Sequence, residues 1–311
     1  MTERAIVFGC EGEELLGILH SGQYEARVGV LVIVGGPQYR VGSHRQFVLL
    51  ARALALGGIP VFRFDYRGMG DASGEARSFE HVRGDITTAI DTFLEESRGM
   101  EKVVLWGLCD AASAAIDYAW RDSRVAGMVL LNPWVRTEEG LAKAYLKHYY
   151  LKRMVSRDLW SGLIRGRVNP FRAIRAFVDS ARLVFVENRR ATPANQVECC
   201  KLTPTAERVT SEPLKPGESL PVRMAEGARR FNRPVLIVLS GDDLTADEFR
   251  DTVEASVLWR SFLERQNVEQ LEVASANHTF SRNDWRGSVE RATLTWVNRI
   301  MNATSPSSQA E

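Results

Sequence analysis

Cysteine is scarce in this 311-residue sequence, and long apolar runs are missing. The four cysteines, Cys10, Cys109, Cys199 and Cys200, do not have the spacing of a zinc site. No apolar run approaches the roughly 20 residues of a transmembrane helix, and the first residues lack the regions of a signal peptide. We therefore expect reduced thiols, no bound metal or cofactor, no transmembrane segment and a cytoplasmic location.

An excess of charge of one sign is also missing. The 40 Lys and Arg residues against 39 Asp and Glu residues give a net charge of +1. This balance points neither to nucleic acid nor to a membrane surface as a partner. With 45% hydrophobic residues, the composition is that of a globular protein, long enough for one large α/β domain with an insertion, or for two domains.

What is present is an alternation of strand-like and helix-like segments. Apolar or alternating runs predict strands over 4–8, 15–20, 28–34, 60–65, 103–106, 125–131, 234–239 and 268–273. Helix-like segments separate most of them. Because strands that alternate with helices form parallel sheets, we expect a mostly parallel central sheet with helices on both faces.

The alternation is interrupted in the middle of the chain. We divide the chain into a first part of the core at 1–134, a helical lid insertion at 135–228, a second part of the core at 229–301 and a flexible tail at 302–311. The insertion is rich in Lys, Arg and aromatic residues. It suits a small-molecule acyl substrate that is an anionic amphiphile, although a basic helical face in contact with solvent is the simpler interpretation.

The chain contains one sharp predicted turn from a strand into a helix. The run 103–106 is followed by Gly107-Leu108-Cys109-Asp110-Ala111 and then by good helix sequence. Small residues on both sides permit such a turn, which exposes its middle residue as in the G-x-S-x-G nucleophile elbow. A helix N-terminus also stabilises a thiolate. Cys109 is therefore a candidate nucleophile, and the alternative is a small buried apolar side chain.

Three polar candidates follow strand ends in one chain order: Cys109, then Asp242 or Asp243, then His278. This is the order of nucleophile, acid and base in the α/β-hydrolase triad. We prefer Asp243, because more than one residue after the strand is needed to turn the carboxylate inward. Asp247 is a weaker choice and is interpreted as a helix N-cap. His278 would move the proton, and the acid would orient its imidazole.

An oxyanion hole needs backbone N–H groups close to the nucleophile. The residue after the nucleophile, Asp110, supplies one predicted donor, and the loop after the strand 28–34 supplies the other. Pro37 has no N–H group, which leaves Gly36 or Gln38, and the Gln38 side chain can add an amide.

These motifs resemble the α/β-hydrolase superfamily over nearly the whole chain outside 135–228. The matching motifs are Gly35-Gly36-Pro37, Asp65-Tyr66-Arg67-Gly68-x-Gly70-Asp71-x-Ser73-x-Gly74, Gly107-x-Cys109-Asp110-Ala111, Gly241-Asp-Asp243 and Asn277-His278. Within the second of them, Arg67 and Asp71 are interpreted as structural. More narrowly, the segments 106–113 and 240–246 resemble the exosortase-A-system-associated hydrolases of type 1, bacterial hydrolases associated with exopolysaccharide production and protein-sorting loci.

The resemblance implies an α/β-hydrolase fold with a helical lid and a cytoplasmic Cys-His-Asp hydrolase without a settled substrate. Two features depart from the superfamily pattern. Val34 stands where a His usually precedes the oxyanion glycine, and the nucleophile is Cys109, as in dienelactone hydrolases.

Three functions fit these residues. The first is hydrolysis of ester or thioester bonds through an acyl-Cys109 intermediate. The second is acyl transfer to a sugar or lipid hydroxyl, which uses the same residues. The third is a non-catalytic member of the fold that binds a ligand or a partner, and it predicts an unreactive Cys109.

Overall fold

The computed structural model of the protein describes residues 2–22, 26–36, 38–135 and 219–304. The strands in these ranges are β1 (Glu3–Cys10), β2 (Glu13–His20), β3 (Val28–Ile33), β4 (Val61–Asp65), β5 (Lys102–Leu108), β6 (Val125–Leu131), β7 (Val235–Ser240) and β8 (Val268–Val273). They form one sheet in the order β1-β2-β4-β3-β5-β6-β7-β8. β2 is antiparallel to β1 and β4, and the remaining pairs are parallel.

Helices cover both faces of this sheet, as the sequence predicts. The α-helices in the described ranges are α1 (Gln46–Leu56), α2 (Arg83–Glu96), α3 (Asp110–Ala119), α4 (Leu220–Arg230), α5 (Leu244–Ala255), α6 (Val257–Leu263) and α7 (Asn283–Thr304). α1 and α7 bury apolar side chains on one face, and α2 to α6 do so on the other. None of these helices combines the length and the apolar character needed to cross a membrane.

The central strands are apolar on both sides because both sides are covered. Along β5, Val103 and Leu105 belong to one core cluster, while Val104 and Trp106 belong to the other. Successive side chains of a strand point to opposite faces, so each face receives half of the strand. This explains why the buried strands appear in the sequence as continuous apolar runs.

The register of the parallel strands brings their carboxyl ends to one level. Ile33 pairs with Gly107, Leu108 with Leu131, and Leu131 with Val238. The loops that follow β3, β5, β6 and β7 therefore leave the sheet at the same edge, where α/β proteins place their ligand sites.

The predicted insertion at 135–228 lies mostly outside the described residues, and so does the prediction that it forms a lid. Its last part is described, and there the predicted boundary at 228 falls within α4. Met224, Ala225 and Ala228 of α4 are buried in the same core cluster as Ile116 of α3. Residues 219–230 thus pack with the sheet. At the other end of the chain, α7 continues to Thr304, and the rest of the predicted tail is not described.

One residue of the Asp65–Gly74 motif, Arg67, forms a buried ion pair with Asp85. Arg67 donates from Nε to Asp85 Oδ1 at 2.9 Å and from Nη2 to Asp85 Oδ2 at 2.8 Å. The Arg67 backbone N–H also donates to Asp85 Oδ1. This bidentate pair joins the loop after β4 to the first turn of α2, which fits the structural role predicted for Arg67.

Candidate active site

Cys109 lies on the sharp turn between β5 and α3. Its φ of 63° and ψ of −123° are unfavourable for a side chain with a Cβ atom. The turn is tight enough that a Cβ atom on Gly107 would approach the Ala111 backbone to 2.6 Å. Gly107 is therefore required by the close approach of α3 to the end of β5. The resulting geometry is that of the predicted elbow, with Cys109 partly exposed at the N-cap of α3.

The end of β6 holds this turn on both sides. The Cys109 N–H donates to the Leu131 carbonyl at 2.8 Å, and the Trp134 N–H donates to the Cys109 carbonyl at 3.2 Å. The two backbone groups of Cys109 are thus bonded to the last residue of β6 and to the segment that follows it. These bonds help to keep the strained conformation in place.

His278 lies in the loop between β8 and α7, and its Nδ1 is 2.9 Å from Asp243 Oδ2. The same Oδ2 accepts the N–H of Ala246 at 3.1 Å, so Asp243 is also the N-cap of α5. The N-cap predicted at Asp247 is therefore wrong by one helical turn, because Asp247 lies in the first turn itself. Of the two adjacent carboxylates, the one near His278 is Asp243, while Asp242 is exposed.

The side chain of Cys109 also acts on the imidazole of His278, because it raises the pKa of that ring. Burial alone lowers the pKa of His278, but the hydrogen bonds and charges of Asp243 and Cys109 outweigh it and raise this pKa to about 10. For Asp243, burial raises the pKa, but the His278 bond and charge dominate and hold it below 3.8. An imidazolium between a carboxylate and a thiol is thus favoured at neutral pH.

The loop after β3 differs from the prediction. The Gly36 N–H donates to Asp110 Oδ2 at 2.8 Å, so it is already used and does not fit the predicted role as an oxyanion donor. The cause is the Asp110 side chain, which reaches back from the start of α3 to the loop. Burial raises the pKa of this carboxyl, and the Gly36 bond opposes the rise. The backbone N–H of Asp110 stays a predicted donor.

Gln38 uses its side chain within the loop. Its Oε1 accepts the Ser43 N–H at 3.2 Å and lies 3.4 Å from Gln46 Nε2. The carbonyl end of this amide therefore faces the start of α1. Between Gly36 and Gln38, the two predicted alternatives, the backbone N–H of Gln38 remains the candidate donor.

One polar residue at this edge has no role in the sequence-based prediction. Asn132 directly follows β6, is fully buried and has a φ of 42°. Its Nδ2 donates to the His278 carbonyl at 3.1 Å, and its Oδ1 accepts the Ser240 N–H at 2.9 Å. The available signal was a polar side chain after a buried strand and before Pro133, at the level of Cys109.

Metal ligands are not assembled at this edge. Among the described residues, no group of three or more His, Cys, Asp or Glu side chains is arranged to hold a metal ion.

Comparisons with known proteins agree with this architecture. Residues 26–180 match the model of the family described as serine aminopeptidase, S33. An esterase from Pyrococcus furiosus is 14% identical, with a TM-score of 0.60, 96% of this chain covered and 93% of the other. The α/β hydrolase GrgF from Penicillium sp. sh18 is 16% identical, with a TM-score of 0.57 and coverages of 97% and 99%.

A third similar structure is Est1E from Butyrivibrio proteoclasticus with bound ferulic acid, which is 14% identical, with a TM-score of 0.57 and coverages of 96% and 100%. No protein with a curated description matches the sequence. The family model and the esterase structures support the prediction of a hydrolytic enzyme, whereas the narrower exosortase-associated group stays a prediction. The sheet order, the helices on both faces and these similarities confirm that this chain has the α/β-hydrolase fold.

Proposed function

We propose that this protein hydrolyses ester or thioester bonds of small-molecule acyl substrates through an acyl intermediate on Cys109. The observation that carries the proposal is the 2.9 Å contact between His278 Nδ1 and Asp243 Oδ2, together with the effect of the Cys109 side chain on the pKa of the same imidazole. A nucleophile beside a base that is oriented by an acid is the arrangement used for covalent acyl transfer. A binding protein has no need of the three groups together.

A cysteine is chemically consistent with this histidine. The family description names a serine enzyme, and a serine hydroxyl needs a neutral imidazole to take its proton. With its pKa raised to about 10, His278 carries a proton at neutral pH. An imidazolium instead stabilises a neighbouring thiolate, which is the nucleophilic form of cysteine. The raised pKa of His278 therefore suits a cysteine nucleophile at this elbow better than a serine.

The proposed reaction begins with attack of the Cys109 thiolate on the substrate carbonyl carbon. A C–S bond forms, and the π electron pair moves to the oxygen, which the Asp110 N–H and the loop after β3 would stabilise. The intermediate then reforms its carbonyl and expels the alcohol or thiol, which takes a proton from His278. Asp243 keeps the imidazole oriented during this transfer.

Hydrolysis of the acyl-cysteine completes the cycle. Neutral His278 takes one proton from a water molecule as the water oxygen attacks the acyl carbon. Collapse of the second intermediate breaks the C–S bond and releases the carboxylic acid. The thiolate and the imidazolium are then restored, so the reaction consumes one water and no other reactant.

The sequence of residues 138–186, which lie outside the described ranges, bears on the finer identity of the substrate. The basic and aromatic residues of 138–186 support an acyl substrate with an anionic group, such as an acylated glycolipid. The resemblance to hydrolases associated with exopolysaccharide production points in the same direction. Both remain predictions, and acyl transfer to a hydroxyl acceptor is an outcome of the test below.

The test combines an activity screen with thiol mapping. Activated esters and thioesters of increasing chain length are assayed with the wild type, Cys109→Ala and Cys10→Ala. We expect turnover that is lost in Cys109→Ala and kept in Cys10→Ala, because Cys10 is buried and burial raises the pKa of its thiol. Product analysis with an added alcohol distinguishes acyl transfer from hydrolysis.

Iodoacetamide labelling followed by peptide mapping supplies the second readout. Cys109 should be alkylated faster than Cys10 at neutral pH, and the loss of activity should follow this modification. His278→Ala should slow the alkylation. Full activity in Cys109→Ala, or a native protein in which Cys109 resists labelling, would contradict the proposal and favour the non-catalytic alternative.

A further inference from the structure

Asn132 joins the strand that carries the acid to the loop that carries the base. Its Oδ1 accepts the N–H of Ser240, the last residue of β7, three positions before Asp243. Its Nδ2 donates to the carbonyl of His278 itself. One side chain thus links the backbones that hold the two partners of the 2.9 Å contact between Asp243 and His278.

The same segment holds the nucleophile. On either side of Asn132, the Leu131 carbonyl accepts the N–H of Cys109 and the Trp134 N–H donates to the carbonyl of Cys109. The Asn132 N–H donates to the Val238 carbonyl at 3.1 Å. The residues that follow β6 therefore contact the elbow on one side and the acid and base loops on the other.

Asparagine meets every requirement at this position. The backbone φ of 42° lies in the left-handed region, which Asn adopts more readily than most residues. Its amide offers a donor and an acceptor on one short side chain, and here both are used. A buried polar group without partners would be costly, so the two bonds hold the Asn132 side chain in one orientation.

We propose that Asn132 is a positioning residue, which holds His278 at the distance from Asp243 and Cys109 that the proposed reaction requires. The inference rests on the proposed function for its catalytic meaning. Asn132 contacts no reacting group, because its bond to His278 is to the backbone carbonyl. Asn132 therefore acts by setting the position of the imidazole.

The test uses two variants of Asn132 and one matched control. Asn132→Gly removes both side-chain bonds and tolerates the positive φ. Asn132→Asp keeps the shape and the acceptor for Ser240 but replaces the donor to His278 with an oxygen. The control is Asn267→Ala, which removes an amide that donates to the Arg233 carbonyl at 2.8 Å, at the opposite end of β7 and β8.

We expect both Asn132 variants to lower kcat on a small activated ester by at least about tenfold, with KM within about threefold, since a displacement of about 1 Å can cost about a hundredfold. Iodoacetamide should alkylate Cys109 more slowly. In Asn132→Gly the pKa of His278, followed by NMR, should fall from about 10. Asn267→Ala should keep kcat within about twofold.

The NMR titration keeps this inference separate from the proposed function. If the wild type hydrolyses no ester, the proposed function fails, and the position of His278 is judged from its pKa and from the alkylation rate of Cys109. An unchanged pKa and an unchanged alkylation rate in folded Asn132→Gly would overturn the inference. If Asn132→Gly does not fold, the same two measurements on Asn132→Asp decide, and equal losses in Asn267→Ala and Asn132→Asp would also overturn it.

Discussion

Replacing Asp243 with Asn removes the charge beside His278 with little change in shape. The substitution eliminates the carboxylate that accepts from His278 Nδ1 at 2.9 Å. Asn is as good an N-cap as Asp, so α5 should keep its first turn through the bond to Ala246. The variant therefore tests the charge at position 243 in a protein that should remain folded.

The magnitude follows from the pKa of His278. This pKa is raised from 6.5 to about 10 by Asp243 and Cys109 against the cost of burial. One pKa unit corresponds to about 1.36 kcal/mol. Because the imidazole is 32% exposed, we discount the full difference for solvent screening and assign about 2–3 kcal/mol to Asp243. This predicts that Asp243→Asn lowers kcat by about a hundredfold. The same substitution in serine triads lowers kcat by more, about ten-thousandfold.

The pH dependence of stability has a definite sign. Since the folded state raises the pKa of His278, its contribution to stability is complete below about pH 6.5 and is lost as pH rises through about 10. The wild type should therefore exceed Asp243→Asn in the free energy of unfolding at pH 6 and lose this advantage above pH 10. Urea unfolding at both pH values measures the difference.

The pH dependence of activity should shift in the same direction. The alkaline limb of kcat/KM should move from near 10 in the wild type toward 6.5 in Asp243→Asn, because the imidazolium is lost earlier. Asp242→Asn is the matched control, since its side chain is exposed, and it should keep kcat within about twofold. An unmoved alkaline limb, or a loss confined to Asp242→Asn, would refute this assignment of the acid.

Two further substitutions test the framework of the site. Gly107→Ala places a Cβ 2.6 Å from the Ala111 backbone, so it should destabilise the protein by about 1–3 kcal/mol and reduce activity; Gly9→Ala, whose Cβ meets no described atom within 4 Å, should do neither. Arg67→Ala leaves the carboxylate of Asp85 buried without its guanidinium and should cost about 3–5 kcal/mol in urea unfolding. Unfolding free energies equal to the wild type would contradict either argument.

Much of the fold was predictable because its signals are local. The apolar runs that become β3 to β7 are buried on both faces. A strand that is buried on both faces is a continuous apolar run, so it can be recognised from its own sequence without knowledge of the neighbouring strands. The elbow was predictable for a related reason. A strand that becomes a helix across Gly107 must turn sharply, and small residues at fixed spacing record that requirement in the sequence.

The choice between Asp242 and Asp243 shows where local reasoning reaches its limit. The argument from turn length favoured Asp243, and the structure has this carboxylate beside His278. Asp247 was interpreted as the N-cap, but Asp243 fills this role as well as contacting His278. The two contacts of Asp243 Oδ2, with the Ala246 N–H and with His278 Nδ1, depend on where the His278 loop lies in space, which residue spacing does not encode.

The sequence by itself determined the order of the strands along the chain, the elbow and the candidate residues that follow strand ends. Tertiary structure alone decided which polar groups meet across that edge. The Asp110 carboxylate takes the Gly36 N–H, and Asn132 bridges Ser240 and His278. Such bonds join residues 74 to 146 positions apart. They depend on sheet register and loop direction, because hydrogen bonds form only at short range and in a narrow range of angles.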